Sequence, residues 1–108
     1  MLRGLVKEGG RSMAAAEIIA KVKTDLRISH TALDTDISDM IDACTADLRI
    51  VGVQVAEPPD KTILAAIKLY CRAAYTDDTD KAEAYMARYN AMKATLMMAE
   101  GYGGAKDE

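Results

Sequence analysis

An all-α domain, a small bundle of about four helices with one extended loop between the second and third, is what this 108-residue sequence predicts. Three observations predict it. Apolar residues recur at helical steps over four stretches, most clearly from Leu33 to Val51. Pro58, Pro59 and the glycines fall between or outside those stretches. Half the residues are apolar, yet Phe and Trp are absent, so the core must be built from Ile, Leu, Val, Met, Ala and five Tyr. The length suits one domain. A chain this short buries only about two-thirds of its unfolded surface, so association would add to a modest stability.

Residues 1–12 read as a flexible arm, because Gly4, Gly9 and Gly10 oppose helix. The arm is too charged for a signal peptide, and Met13 would make a natural start. The expected helical domain is 13–102. Its first helix runs from about Met13 to Leu26, capped by Ser12, with Ile18, Ile19, Val22 and Leu26 in one stripe. Arg27 to Thr31 reads as a connection.

The second helix carries Leu33, Ile37, Met40, Ile41, Cys44, Leu48 and Val51, at steps of 4, 3, 1, 3, 4 and 3. Asp34 or Thr35 can cap it, Asp36 complements its dipole, and Gly52 suits its end. Val53 to Pro59 then reads as an extended loop or one short strand, since two prolines forbid helix. That loop (Val53, Gln54, Val55, Glu57, Pro58 and Pro59) either lines a channel, bridges subunits or is a plain spacer.

Asp60 is the expected N-cap of the third helix, which runs to about Tyr75 with Ile63, Ile67, Tyr70, Cys71 and Ala74 on its apolar face. Thr76 to Asp80 breaks it. Thr79 or Asp80 caps the fourth helix, Asp80 with Glu83 having capping-box spacing. Its apolar face is Ala82, Tyr85, Met86, Tyr89, Met92, Leu96 and Ala99, and Gly101, Gly103 and Gly104 end it. Met97 and Met98 cannot both face one core, so one of them is expected to reach a partner or a further packing surface. Residues 103–108 form a flexible tail. The string DLRI, at Asp25–Ile28 and again at Asp47–Ile50, has dissimilar flanks and reads as coincidence rather than as a repeat.

No catalytic residue, cofactor site or metal site is expected. His30 is the one imidazole and sits in a connection, as a capping or surface residue. There is no GxSxG elbow, HExxH or P-loop, and the glycine pairs lie in the tails. Cys44 and Cys71 are far apart in sequence, make no zinc-like spacing, and read as buried thiols in a reducing cytoplasm. No apolar run approaches the ~20 residues of a membrane span.

Charge offers more. The net charge of −3, from 14 basic and 17 acidic residues, argues against wrapping nucleic acid but not against letting it slide past. Asp39 and Asp42 lie away from the apolar stripe of the second helix, and Asp36 and Asp47 flank it. On the third helix Lys61, Lys68 and Arg72 line up opposite the core. The basic stripe is a solvated face, a DNA contact or the complement of a neighbour's acidic face. The helix start, Asp60-Lys61-Thr62-Ile63-Leu64, is poor for reading bases. Complementary acidic and basic faces suit a head-to-tail contact, so Asp36, Asp39, Asp42, Asp47, Lys61, Lys68 and Arg72 are the candidate subunit interface.

The element order also resembles a known family. A helix ending VKTDLRIS leads to DTDISDMIDACTADLRIVGV, a proline-containing loop, DKTILAAIKLYCRAAY, and DKAEAYMARYNAMKATLMMAEGY. The LRI of Leu26 to Ile28, the run Asp34, Ile37, Ile41 and Cys44, and the A-I-x-L-Y run from Ala66 to Tyr70 are similar to the phage head–tail connector (adaptor, DNA-packaging) family of long-tailed phages. The similarity spans Ala16 to Tyr102. Cys44 stands where similar members often have alanine, a small difference in volume. The resemblance implies a structural protein that forms a homo-oligomeric ring below the portal protein, extends the DNA channel without sequence-specific binding, and docks the next head-completion or tail protein. It implies a place in the virion, reached through the host cytoplasm, with no membrane. A small helical DNA-binding regulator is the alternative reading.

Overall fold

The computed structural model describes residues 16–56, 59–99 and 101–102. Among these, four helices form: α1 (helical over 16–26), α2 (Asp34–Ile50), α3 (Lys61–Tyr75) and α4 (Thr79–Met98). The all-α bundle is as expected, with an extended connection between α2 and α3. The expected cap Ser12, the start of the first helix at Met13, the arm 1–12 and the tail 103–108 lie outside the described residues, as do Glu57, Pro58, Gly103 and Gly104.

One apolar cluster joins all four helices. It buries Ile18 and Val22 of α1, Ile37, Ile41, Cys44 and Leu48 of α2, Ile63, Ala66, Ile67 and Cys71 of α3, and Tyr89 and Leu96 of α4. Ile28 and Val53 close it from the two connections. The α2 stripe is as expected, with Leu33, Met40 and Val51 packed at its margin. On α3 the face is rotated: Ala66 is fully buried and Ala74 is exposed.

The helix ends show how local chemistry competes with packing. Neither Asp34 nor Thr35 caps α2: Leu33 occupies the cap position and makes no side-chain cap bond. Asp34 is drawn instead to Lys23 of α1, 2.8 Å away. Asp60 caps α3 as expected, accepting the Ile63 N–H at 3.0 Å. The α4 cap is Asp78, not Thr79 or Asp80, and it accepts the Lys81 N–H at 3.1 Å. A cap must be extended while its carboxylate reaches three residues ahead, and Asp78 is the residue with that backbone.

Two helices end alike although their sequences differ. After α2, Gly52 has φ +90°, Gly52 N–H bonds Arg49 C=O, and Val53 N–H bonds Leu48 C=O. This is a Schellman end, with Val53 and Leu48 both buried. After α1, Arg27 takes the glycine's role at φ 62°, with Arg27 N–H on Thr24 C=O and Ile28 N–H on Lys23 C=O. The two DLRI strings therefore adopt different structures: the second is helical throughout and the first breaks at Arg27. In the link that follows, exposed His30 accepts the Ala32 N–H at 3.3 Å.

Candidate subunit interface

Two charge clusters cross between helices, and both use residues expected at the subunit interface. Arg72 of α3 reaches Asp25 of α1 with two hydrogen bonds, Nε to Oδ2 at 2.7 Å and Nη2 to Oδ1 at 2.6 Å. Its guanidinium also lies over the Tyr85 ring of α4, 5.7 Å from the centroid. The fork geometry matches the carboxylate, and that bond is what raises the Arg72 pKa further above its ordinary value. Arg72 thus ties α1, α3 and α4 together.

Asp47 of α2 is held in the same manner. Its Oδ2 accepts the Tyr89 hydroxyl at 2.7 Å and the Lys93 ammonium at 2.9 Å, both from α4. Lys93 also sits 5.3 Å from the centre of the Tyr89 ring. The bond from Lys93, then that from Tyr89, holds the Asp47 carboxyl below the usual range. Tyr89 is fully buried, and burial together with the Asp47 bond raises its phenol. Cys44 donates weakly to the Tyr89 oxygen at 3.8 Å, and Tyr70 meets the Tyr89 ring edge-on at 5.2 Å. Burial pushes the thiols of Cys44 and Cys71 up to about 12. At neutral pH both are protonated apolar fillers rather than nucleophiles.

The remaining expected interface charges point outward. Asp36, Asp39 and Asp42 are exposed on α2, Lys61 is exposed at the start of α3, and Lys68 is half-buried further along it. Tyr85 lies four residues after Lys81 and three before Arg88, so the stack of Arg72 on Tyr85 carries the basic face of α3 onto α4. Periodicity places Tyr85 and Tyr89 on an apolar face. Their ties to Arg72 and Asp47 cross between helices and have no local signature.

The loop is divided. Val53 is buried in the core. Gln54 is exposed and its N–H bonds the Tyr102 carbonyl at 2.8 Å. Val55 is half-buried and its carbonyl accepts Arg49 Nη2 at 3.4 Å; Pro59 is half-buried. The Tyr102 hydroxyl bonds Asp60, whose other oxygen caps α3. That bond, with the Ile63 N–H, holds the Asp60 carboxyl below its ordinary value. A shallow cavity of about 200 Å³ lies between Val55, Ile63 and Tyr102. Its acid and its phenol are bonded to each other, which leaves no acid–base pair aimed at a ligand. Among the described residues no three His, Cys, Asp or Glu converge for a metal, and no helix is long and apolar enough to cross a membrane.

A family model described as phage connector protein matches residues 18–103. The chain belongs to the phage connector protein family. No curated protein and no solved structure matches it. The match opens at Ile18, where the buried stripe of α1 begins, and runs just past Tyr102. It takes in every residue of the core and both charge clusters.

Proposed function

We propose that this chain is a structural, non-enzymatic head–tail connector of a tailed phage. Copies form a ring below the portal protein, extend the DNA channel, and present the docking surface for the next head-completion or tail protein. The site of action is the head–tail junction of the virion, reached from the host cytoplasm. Membership of the phage connector family over residues 18–103 carries this reading. The net charge of −3 supports passage of DNA without capture.

The subunit contact is head-to-tail between unlike faces. The acidic face is Asp36, Asp39 and Asp42 of α2, and the basic face is Lys61 and Lys68 of α3, continued on α4. Asp47 and Arg72 shape those faces through their bonds within the subunit. Gln54 and Pro59 mark the part of the loop that a neighbour or the channel can meet. Asp25–Arg72 is structural, so the charges to reverse are Lys61 and Lys68. Lys61→Glu with Lys68→Glu weakens assembly and leaves the thermal unfolding midpoint near that of the wild type.

The experiment is electron microscopy of the purified chain, with light scattering across concentrations and binding to portal-bearing heads. Rings that bind such heads support the reading. A monomer at every concentration that ignores portal-bearing heads removes it. Tight, steeply salt-dependent retardation of duplex DNA replaces it with a DNA-binding regulator.

A further inference from the structure

The two most exposed large apolar side chains close the C-terminal ends of α2 and α4. Ile50, at the end of α2, is 81 % exposed, and Met98, at the end of α4, is 86 % exposed. Each terminates a longer outward stripe. On α4 it is Ala84, Ala87, Ala91, Ala94 and Met98, at steps of 3, 4, 3 and 4, all exposed. On α2 it is Asp36, Asp39, Ala43, Ala46 and Ile50, at the same steps and all exposed. The opposite side of α4 buries Tyr89 and Leu96, so this helix is apolar on two sides. A surface helix with one partner carries charge on its outer side instead.

The two stripes share length and spacing and differ in charge. On α4, Arg88 follows Ala87 and precedes Ala91 by one turn. On α2, Asp39 and Asp42 lie one turn apart at the matching height. Among the described residues, none of these three has an ion-pair partner.

We propose that the outward face of α4 of one copy packs in parallel on the outward face of α2 of a second copy. In that register Met98 meets Ile50, Ala91 and Ala94 meet Ala43 and Ala46, and Arg88 lies between Asp39 and Asp42. The contact runs about 21 Å along each helix. Alanine facing alanine lets the axes approach at the near end of the ~8–10 Å range for packed helices. An antiparallel arrangement separates Met98 from Ile50 and sets Arg88 beside Ala46, so the apolar ends no longer meet and the charge match with Asp39 and Asp42 is lost. The occupant is a second copy because the complement of the α4 face, in spacing and in charge, lies on α2 of the same chain. Each copy uses one face for each neighbour, so the contact propagates and builds a ring when its rotation closes. Ring closure rests on the connector reading; the contact itself does not.

The test is a charge swap followed by light scattering and electron microscopy. Arg88→Glu alone, and Asp39→Arg with Asp42→Arg alone, each raise the concentration needed for assembly by at least about tenfold. Mixing the two variants restores assembly, since each then offers the face the other lacks. Ala91→Glu and Met98→Glu, both at exposed positions, abolish assembly with the helical circular dichroism signal unchanged. Wild-type assembly that survives Ala91→Glu and Arg88→Glu overturns this contact and leaves the connector reading standing. Assembly that needs these faces but gives open filaments without affinity for portal-bearing heads overturns the connector reading and leaves the contact. A wild type that stays monomeric at every concentration overturns the contact outright.

Discussion

Tyr89 of α4 donates its hydroxyl hydrogen to Asp47 of α2 at 2.7 Å while its ring is wholly removed from water. The bond supplies the partner that a buried phenol needs and fixes the height of α4 against α2. Tyr89→Phe keeps the ring and deletes that bond. The expected loss is about 1–2 kcal/mol, read from the urea midpoint. A midpoint equal to that of the wild type would show that the contact is incidental to stability.

Asp47 also sets the acid limit. Its folded-state pKa is lowered, first by Lys93 and then by Tyr89, relative to the unfolded chain. Its contribution is therefore complete above the unfolded value of about 3.9 and is lost as pH falls through the folded value. Unfolding free energy should hold steady from neutral pH down to about pH 5 and fall below about pH 4. Asp47→Asn should be less stable at neutral pH and lose less on acidification. Equal acid slopes for the two proteins would contradict the assignment.

Arg72 gives a sharper contrast. Arg72→Glu sets two carboxylates face to face at Asp25 and removes the stack on Tyr85, while Arg72→Lys keeps the charge and loses the fork. The arginine is partly exposed, so solvent screens the pair. About 1–2 kcal/mol is expected for Arg72→Lys and more for Arg72→Glu, from thermal unfolding. Lysine performing as well as arginine would mean that charge alone matters there.

The repeated DLRI offers an internal control. Arg27→Gly should stabilise by up to about 1 kcal/mol, because it relieves a left-handed backbone at φ 62°. Arg49→Gly, at the same place in the second copy, should destabilise by about 1 kcal/mol, since that residue is helical. Denaturant titration of both variants decides this, and shifts of the same sign would refute it.

Cys44 and Cys71 report on opening of the bundle. Both are fully buried, with thiols pushed up to about 12. Ellman's reagent should label them at the rate of unfolding and accelerate with urea in step with loss of helix. Fast labelling of the native protein would place at least one thiol in a locally open region.

Much of this molecule is legible in the sequence by itself. The spacing of Leu33 to Val51 determines α2 and its buried face, because one side of a helix must recur every three to four residues. Asp60 and Gly52 mark their helix ends, since capping and left-handed geometry depend on one residue and its near neighbours. The resemblance read over Ala16 to Tyr102 and the family match over 18–103 describe nearly the same span. Only tertiary structure decided the rest. It gave Arg72 to Asp25 and Asp47 to Tyr89 and Lys93, taking two expected interface charges into the subunit. It moved the caps to Leu33 and Asp78, buried Ala66 and Val53, and exposed Ala74. Periodicity reports which side of a helix faces inward. It is silent on which charge across the bundle stands at the same height, because that depends on how helices 42 to 47 residues apart in the chain are stacked.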